Sequence, residues 1–210
     1  MVFENLKADL KKYYIIEIGN ENPSLLRKIR LFIVHFGLHC VILYRYARFA
    51  KRLYARNNLI GLPFMAFFFF WNYFIKMIHH VNICDADIGP GFYISHAGTI
   101  FIAPINIGAN FSITHNVTIG TGHRNGIASD PKGIGNNVWI GTGSVISGDI
   151  LIGDNVTISS GSIVSRDLPS GCLAGGNPGR VILRDYSNQY LFGQKNNRQP
   201  AGVSREHDPH

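Results

Sequence analysis

Cysteine is scarce in this chain. Cys40, Cys84 and Cys172 are odd in number and widely spaced among 210 residues, so they supply neither a disulfide framework nor a zinc-ligand pattern. That usage suits a reducing compartment. The opening Met1-Val-Phe-Glu-Asn-Leu-Lys lacks the charged-then-apolar order of a secretory leader, and a cytoplasmic location is expected. Acidic residues are few at the front: residues 1–82 carry twelve Lys and Arg against four Asp and Glu. The balance then reverses to four against six over 83–183, and 184–210 carries four against three. A basic segment can mark a nucleic-acid partner, but here no recognition motif accompanies the charge and the cations flank very apolar runs. No nucleic-acid partner is therefore expected. The second half also lacks both the 3.6-residue and the two-residue hydrophobic period.

What replaces them is a period of six. An aliphatic residue recurs at Ile88, Ile94 and Ile100, then at Ile107, Ile113 and Ile119, and again at Ile134, Ile140, Ile146, Ile152, Ile158 and Val164. A hexapeptide β-helix produces that spacing, with three units to each rung. The repeated aliphatic is expected to fill the axis, the small residue after it to permit the corner, and the other positions to face solvent. No rung buries its apolar side alone, so the run is stable only as a stack.

The period breaks twice. Ile100 to Ile107 is seven residues, which implies a small bulge over 101–106. Ile119 to Ile134 is fifteen, so 120–133 must leave the coil as a loop, and insertions in solenoids often line the binding site.

Three segments make the pattern specific: Ile94-Ser-His-Ala-Gly-Thr-Ile, Val117-Thr-Ile-Gly-Thr-Gly, and Gly175-Gly-Asn-Pro-Gly-Arg-Val-Ile. With the hexads between them they resemble the hexapeptide-repeat acyltransferases, within them the serine acetyltransferase-like branch that also holds many polysaccharide O-acetyltransferases. The resemblance implies a mainly β fold, a left-handed parallel β-helix with an α-helical N-terminal region. The hand comes from the resemblance alone. It also implies acetyl-CoA as co-substrate, a homotrimer with sites between subunits, and His96 as the base. A neutral imidazole can take a hydroxyl proton and later return a proton to a departing thiolate.

The chain departs from the serine enzymes at two places. The aspartate before their catalytic histidine is Ser95 here, and their Arg-His-Pro-Lys loop reads Ser129-Asp130-Pro131-Lys132. A serine acceptor would lose its carboxylate clamp, so a sugar hydroxyl of a surface polysaccharide or its precursor is the expected acceptor, and serine the alternative. His115, His123 and Asp130 are candidate substrate-binding residues. Gly120, Gly122, Lys132, Thr142, Ser160 and Arg180 are candidates for the coenzyme, the two cations for its phosphates. Two other classes use such a coil: a γ-carbonic-anhydrase-like metalloenzyme, for which His96, His115 and His123 supply the count but not the spacing, and a non-catalytic scaffold. His79 and His80 beside Asp85 and Asp87 read as a helix end entering the first rung, and no metal is expected.

Three regions follow: a helical, apolar and basic part over 1–82, the coil over 83–183, and a tail over 184–210 that turns polar, aperiodic and mobile from Gln194, with His207 and His210 unassigned. The front holds apolar runs at 31–43 and 59–75, the second uncharged for seventeen residues. Helices packed on the coil or on a neighbouring subunit, and peripheral attachment to an anionic membrane, both fit these runs. A true span fits less well, because Gly61, Pro63 and Asn72 interrupt a run at the lower length limit.

Overall fold

The computed structural model of the chain describes residues 2–124 and 127–192. The tail from 193, with His207 and His210, lies outside the described residues. Four helices come first: α1 (Val2–Tyr13), α2 (Leu25–Val34), α3 (Phe36–Arg56) and α4 (Asn58–His79). A π turn over Tyr14–Ile18 follows α1 and ends at Gly19, whose left-handed φ of 71° closes it. The Asn57 side chain accepts from the Ile60 amide at 3.1 Å and starts α4.

From Val81 the chain winds into a coil of short parallel strands on three faces. Face one stacks Val81–Ile83, Ile100–Ile102, Thr118–Gly120, Val145–Ser147 and Ile163–Val164. Face two stacks Asp87–Ile88, Asn106–Ile107, Gly133–Ile134 and Leu151–Ile152. Face three stacks Tyr93–Ile94, Ser112–Ile113, Trp139–Ile140, Thr157–Ile158 and Cys172–Gly175, and an antiparallel strand, Arg180–Arg184, closes its far end. Like stands on like: Ile88 on Ile107, Ile94 on Ile113, Ile140 on Ile158. Each repeated aliphatic is buried in the axis.

The expected roles within the hexad need two corrections. Positions four after the aliphatic also point inward, for Phe92, Phe111, Val117, Val138 and Val156 are fully buried at the corners. The small residue after the aliphatic does not make the turn. A Cβ on Gly135 would lie 2.5 Å from the Asp154 carboxylate and 2.7 Å from the Gly153 carbonyl carbon, so glycine serves there to let rungs approach. The turn falls two residues later, where Asn110, Asn137 and Asn155 take positive φ and their side-chain amides hydrogen-bond rung to rung at 3.0 and 2.9 Å. The seven-residue interval also resolves differently from a bulge over 101–106. Both Ile100 and Ile102 point inward, and it is Ile102 that shares register with Ile119 and, beyond it, Ile146.

The first rung has no rung before it, so its backbone groups on faces two and three need other partners. The helices supply them. The Asp9 carboxylate, fully buried, accepts from the Gly91 and Phe92 amides at 2.8 Å each, and the Arg45 Nε donates to it at 2.6 Å. The other Arg45 nitrogens reach the Ile88 and Gly89 carbonyls at 2.7 and 2.6 Å. Tyr44 and Tyr13 each accept and donate, the first between the Ile88 amide and Ala86 carbonyl, the second at both groups of Ile94. Lys12 donates to the Gly91 and Phe111 carbonyls at 2.8 and 3.3 Å. Helix α3 can come this close because residue 37 is glycine; a Cβ there would stand 2.2 Å from the Ile94 oxygen. The two apolar runs therefore have different fates: Leu38 and Val41 of α3 join the core, whereas α4 leaves most of its apolar side chains bare.

Replacing Arg45 by Met strands the buried Asp9 charge. Arg45→Met is expected to cost about 3–5 kcal/mol in urea unfolding. Lys12 gives a pH signature: burial pushes its ammonium from 10.5 down to about 7, against a smaller opposing pull from Asp9. Between those values the unfolded chain binds a proton that the native chain lacks, so stability rises with pH across that window. The urea midpoint of the wild type is expected to climb from about pH 7 to about pH 9. The Lys12→Met variant is expected to lack that component of the slope.

Candidate active site

The register of face three carries over to the corner that follows it. Ile94, Ile113, Ile140 and Ile158 are aligned, so the residues two further on, His96, His115, Thr142 and Ser160, form one file down the corner between faces three and one. Backbone bonds between rungs hold the file together, from the Gly143 amide to the His115 carbonyl at 3.2 Å and from the Gly161 amide to the Thr142 carbonyl at 2.7 Å. His96 is exposed and His115 half-buried, with ring centroids 5.9 Å apart and planes at 65°. Nδ1 of His115 is buried without a hydrogen-bond partner among the described residues. An orphaned nitrogen of this kind marks a place where a further polar group is wanted. One rung down, the Thr142 hydroxyl donates to Thr114 at 3.1 Å, and Ser160 stands exposed below it.

Beside the histidines is a carboxylate that the sequence reading missed. Glu17, in the turn after α1, pairs with His35 Nε2 at 3.1 Å and accepts from the Tyr93 hydroxyl. Its carboxyl is held below the usual range chiefly by the His35 hydrogen bond, with Tyr93 and the charges of His35 and His96 adding to it against the cost of burial. Tyr93 is pushed well up, first by burial and then by Glu17, while Ser95 hydrogen-bonds to it. A negative group thus stands near His96 although residue 95 is not acidic. Nothing in the local sequence of Glu17 points to this, since the contact joins residues 76 apart.

The inserted loop contains an antiparallel hairpin, Gly122–Arg124 with Ile127–Ser129, and it leaves the coil at the corner between faces one and two. That is a different corner from the one holding His96, with the whole of face one between them. Within one chain, His123, Asp130 and Lys132 therefore stand apart from the histidine file. His123 is exposed. Asp130 accepts from the Thr121 hydroxyl across the base of the loop, and Lys132 pairs with Asp149 at 3.1 Å. Gly122 is small for a packing reason, because a Cβ there would meet the Gly148 amide at 2.5 Å; Gly120 lies under the Phe101 ring. Arg180 is exposed opposite Gly175, at the far end of the histidine corner, and makes no ion pair with the described residues. Of the cofactor candidates, then, Thr142, Ser160 and Arg180 belong with His96, and Gly120, Gly122 and Lys132 with the loop. Among the described residues no group of three or more His, Cys, Asp or Glu is placed to hold a metal ion.

Known proteins agree with this architecture. Residues 132–166 match the family model described as Bacterial transferase hexapeptide (six repeats). No curated protein matches the sequence. Among solved structures, the serine acetyltransferase of Neisseria gonorrhoeae is 26% identical, with a TM-score of 0.67 over 93% of this chain and 71% of that one. Soybean serine acetyltransferase, in a complex with serine, is 27% identical, with a TM-score of 0.64 over 86% of this chain and 69% of that one. The six-residue period, the three-faced coil behind a helical cap, the match over residues 132–166 and these neighbours together give the chain the architecture of the hexapeptide-repeat acyltransferases, which it resembles in sequence and in fold.

Proposed function

We propose that the chain transfers the acetyl group of acetyl-CoA to a hydroxyl, with His96 as base, and that serine is the acceptor with the broader support. The observation that carries the reaction is the corner file, in which an exposed imidazole heads a run of polar residues that ends near Arg180, a cation with no ion pair among the described residues. The imidazole takes the hydroxyl proton as the oxygen forms a bond to the thioester carbonyl carbon. The carbon–sulfur bond then breaks, and the imidazolium returns the proton to the thiolate, leaving an acetyl ester and free coenzyme A. Thr142 and Ser160 offer hydroxyls along the path of an extended pantetheine arm, and Arg180 a charge for its phosphates. Serine follows from whole-chain likeness to serine acetyltransferases, one of them in a complex with serine.

A specific observation favours a second reading, a sugar hydroxyl on a glycan or its precursor. Ser95 is neutral and Asp130 is already engaged by Thr121, so the positions that would clamp an amino acid's charged groups offer it little. In either reading the loop reaches a histidine file only if another copy of the chain sets its hairpin corner beside the histidine corner, which is the reason to expect a homotrimer with His123 and Asp130 contributed across the interface.

Thiol release from acetyl-CoA, with serine and a panel of sugars and nucleotide sugars as acceptors, decides among these. Turnover that depends on serine supports the first reading, and turnover that depends on a sugar and ignores serine supports the second. His96→Ala is expected to lower the rate roughly 10²–10⁴-fold. A variant as active as the wild type overturns the assignment of the base, and no acceptor-dependent release with any hydroxyl overturns the reaction.

A further inference from the structure

The coil's outward positions are mainly polar or covered, but α4 is not. It runs 22 residues with Gly61 its one buried residue, and Leu59, Phe69, Phe70, Tyr73 and Ile78 are each more than half exposed. Lys76 is its single Lys, Arg, Asp or Glu. Helix α2 adds a second bare apolar surface, with Leu25 and Leu26 72% and 76% exposed. Exposed apolar surface of this extent, most of it on one helix, marks a binding surface.

Charge identifies the partner. Arg27 and Arg30 lie on α2, Arg52 and Arg56 at the end of α3 where it turns into α4, and Lys76 on α4 itself; all five are exposed. None makes an ion pair with the described residues, whereas most other cations of the front half do. An apolar face fringed by unneutralised cations suits a surface that is apolar within and anionic at its edge. A second copy of the same face would bring like charges together.

The geometry also sets the mode of attachment. By length and composition α4 could cross a membrane. Its inner stripe, however, lies on α3: a Cβ on Gly61 would stand 2.2 Å from the Tyr54 Cα, and the Tyr46 hydroxyl reaches the Phe64 carbonyl at 3.1 Å. Helix α3 is in turn pinned to the first rung by Arg45, by Arg48 on Asp87 at 2.8 Å and by Lys51 on Asp85. Crossing a bilayer would strip α4 from α3 or draw those charges into hydrocarbon. We propose that the outer faces of α4 and α2 form a docking surface for an anionic phospholipid bilayer, with α4 lying in the plane of the interface and the coil held at the membrane surface.

Flotation of the purified full chain tests this, using vesicles of phosphatidylglycerol with phosphatidylethanolamine and vesicles of phosphatidylcholine. The chain is expected to float with the anionic vesicles and to be released by alkaline carbonate, with binding to the neutral ones weaker by roughly tenfold or more. Phe69→Glu/Phe70→Glu should abolish flotation and Arg27→Glu/Arg30→Glu should weaken it by roughly tenfold, both with unchanged circular dichroism and acetyl transfer in solution. Equal binding of both vesicle types, or flotation unaffected by either double variant, overturns the proposal. So does resistance to carbonate, which would mean a crossing helix. A wild type that ignores vesicles but loses mass in solution on Phe69→Glu/Phe70→Glu also overturns it, making the face a contact between copies.

Discussion

The structure depends on satisfying the open edge of its first rung. A solenoid of parallel strands satisfies its own backbone only in the interior, where each rung has a neighbour on both sides; at an end, amides and carbonyls stand in a row with nothing to bond. Here that row is met by side chains rather than by another strand. Asp9, Lys12, Tyr13, Tyr44 and Arg45 come from two helices far away in sequence, and each places a polar atom against a specific backbone group of residues 86–94. Burying an ion pair at such a place is not an efficient way to gain stability. It serves to match the irregular donors and acceptors of a strand edge, which an apolar helix face could not do.

The site inherits its order from the same register. Because rungs repeat in phase, a residue type set at one point of the hexad recurs at the same corner, one rung lower each time. His96 and His115 are neighbours for that reason, and Thr142 and Ser160 follow them without any special loop. The insertion between Ile119 and Ile134 leaves this order intact, since Ile119 still stacks on Ile146 and Ile107 on Ile134. The cap and the site also touch, because the turn that ends α1 sets Glu17 against Tyr93, three residues before His96.

The sequence spoke clearly where structure is periodic. The hexads at 134–158 define the coil, and the burial of Ile134, Ile140, Ile146, Ile152 and Ile158 follows from spacing alone, whereas that of Val138 and Val156 does not. Their finer roles were less legible: glycine after the aliphatic suggested a turn, yet its work is close approach between rungs, while asparagine two places later takes the left-handed turn because its short amide can bond the next rung. Glu17 was invisible, for its partners are reached only by tertiary packing. His115, a candidate for substrate binding, does stand next to His96. His123 and Asp130 were expected in the same site, but a corner position cannot be read from a loop's length, and in one chain they face elsewhere. The sugar acceptor inferred from Ser95 and Asp130 has less support from structural likeness than the serine alternative.

The cap precedes the coil along the chain. Helices α1 and α3 are complete by residue 56, before the first strand at Val81 has been made. As the chain is synthesised, Asp9, Lys12, Tyr13 and Arg45 are therefore made before the backbone groups of residues 86–94 that they meet. The strand edge of the first rung, open to pairing with a foreign chain, thus has its cover in the same chain and ahead of it in synthesis.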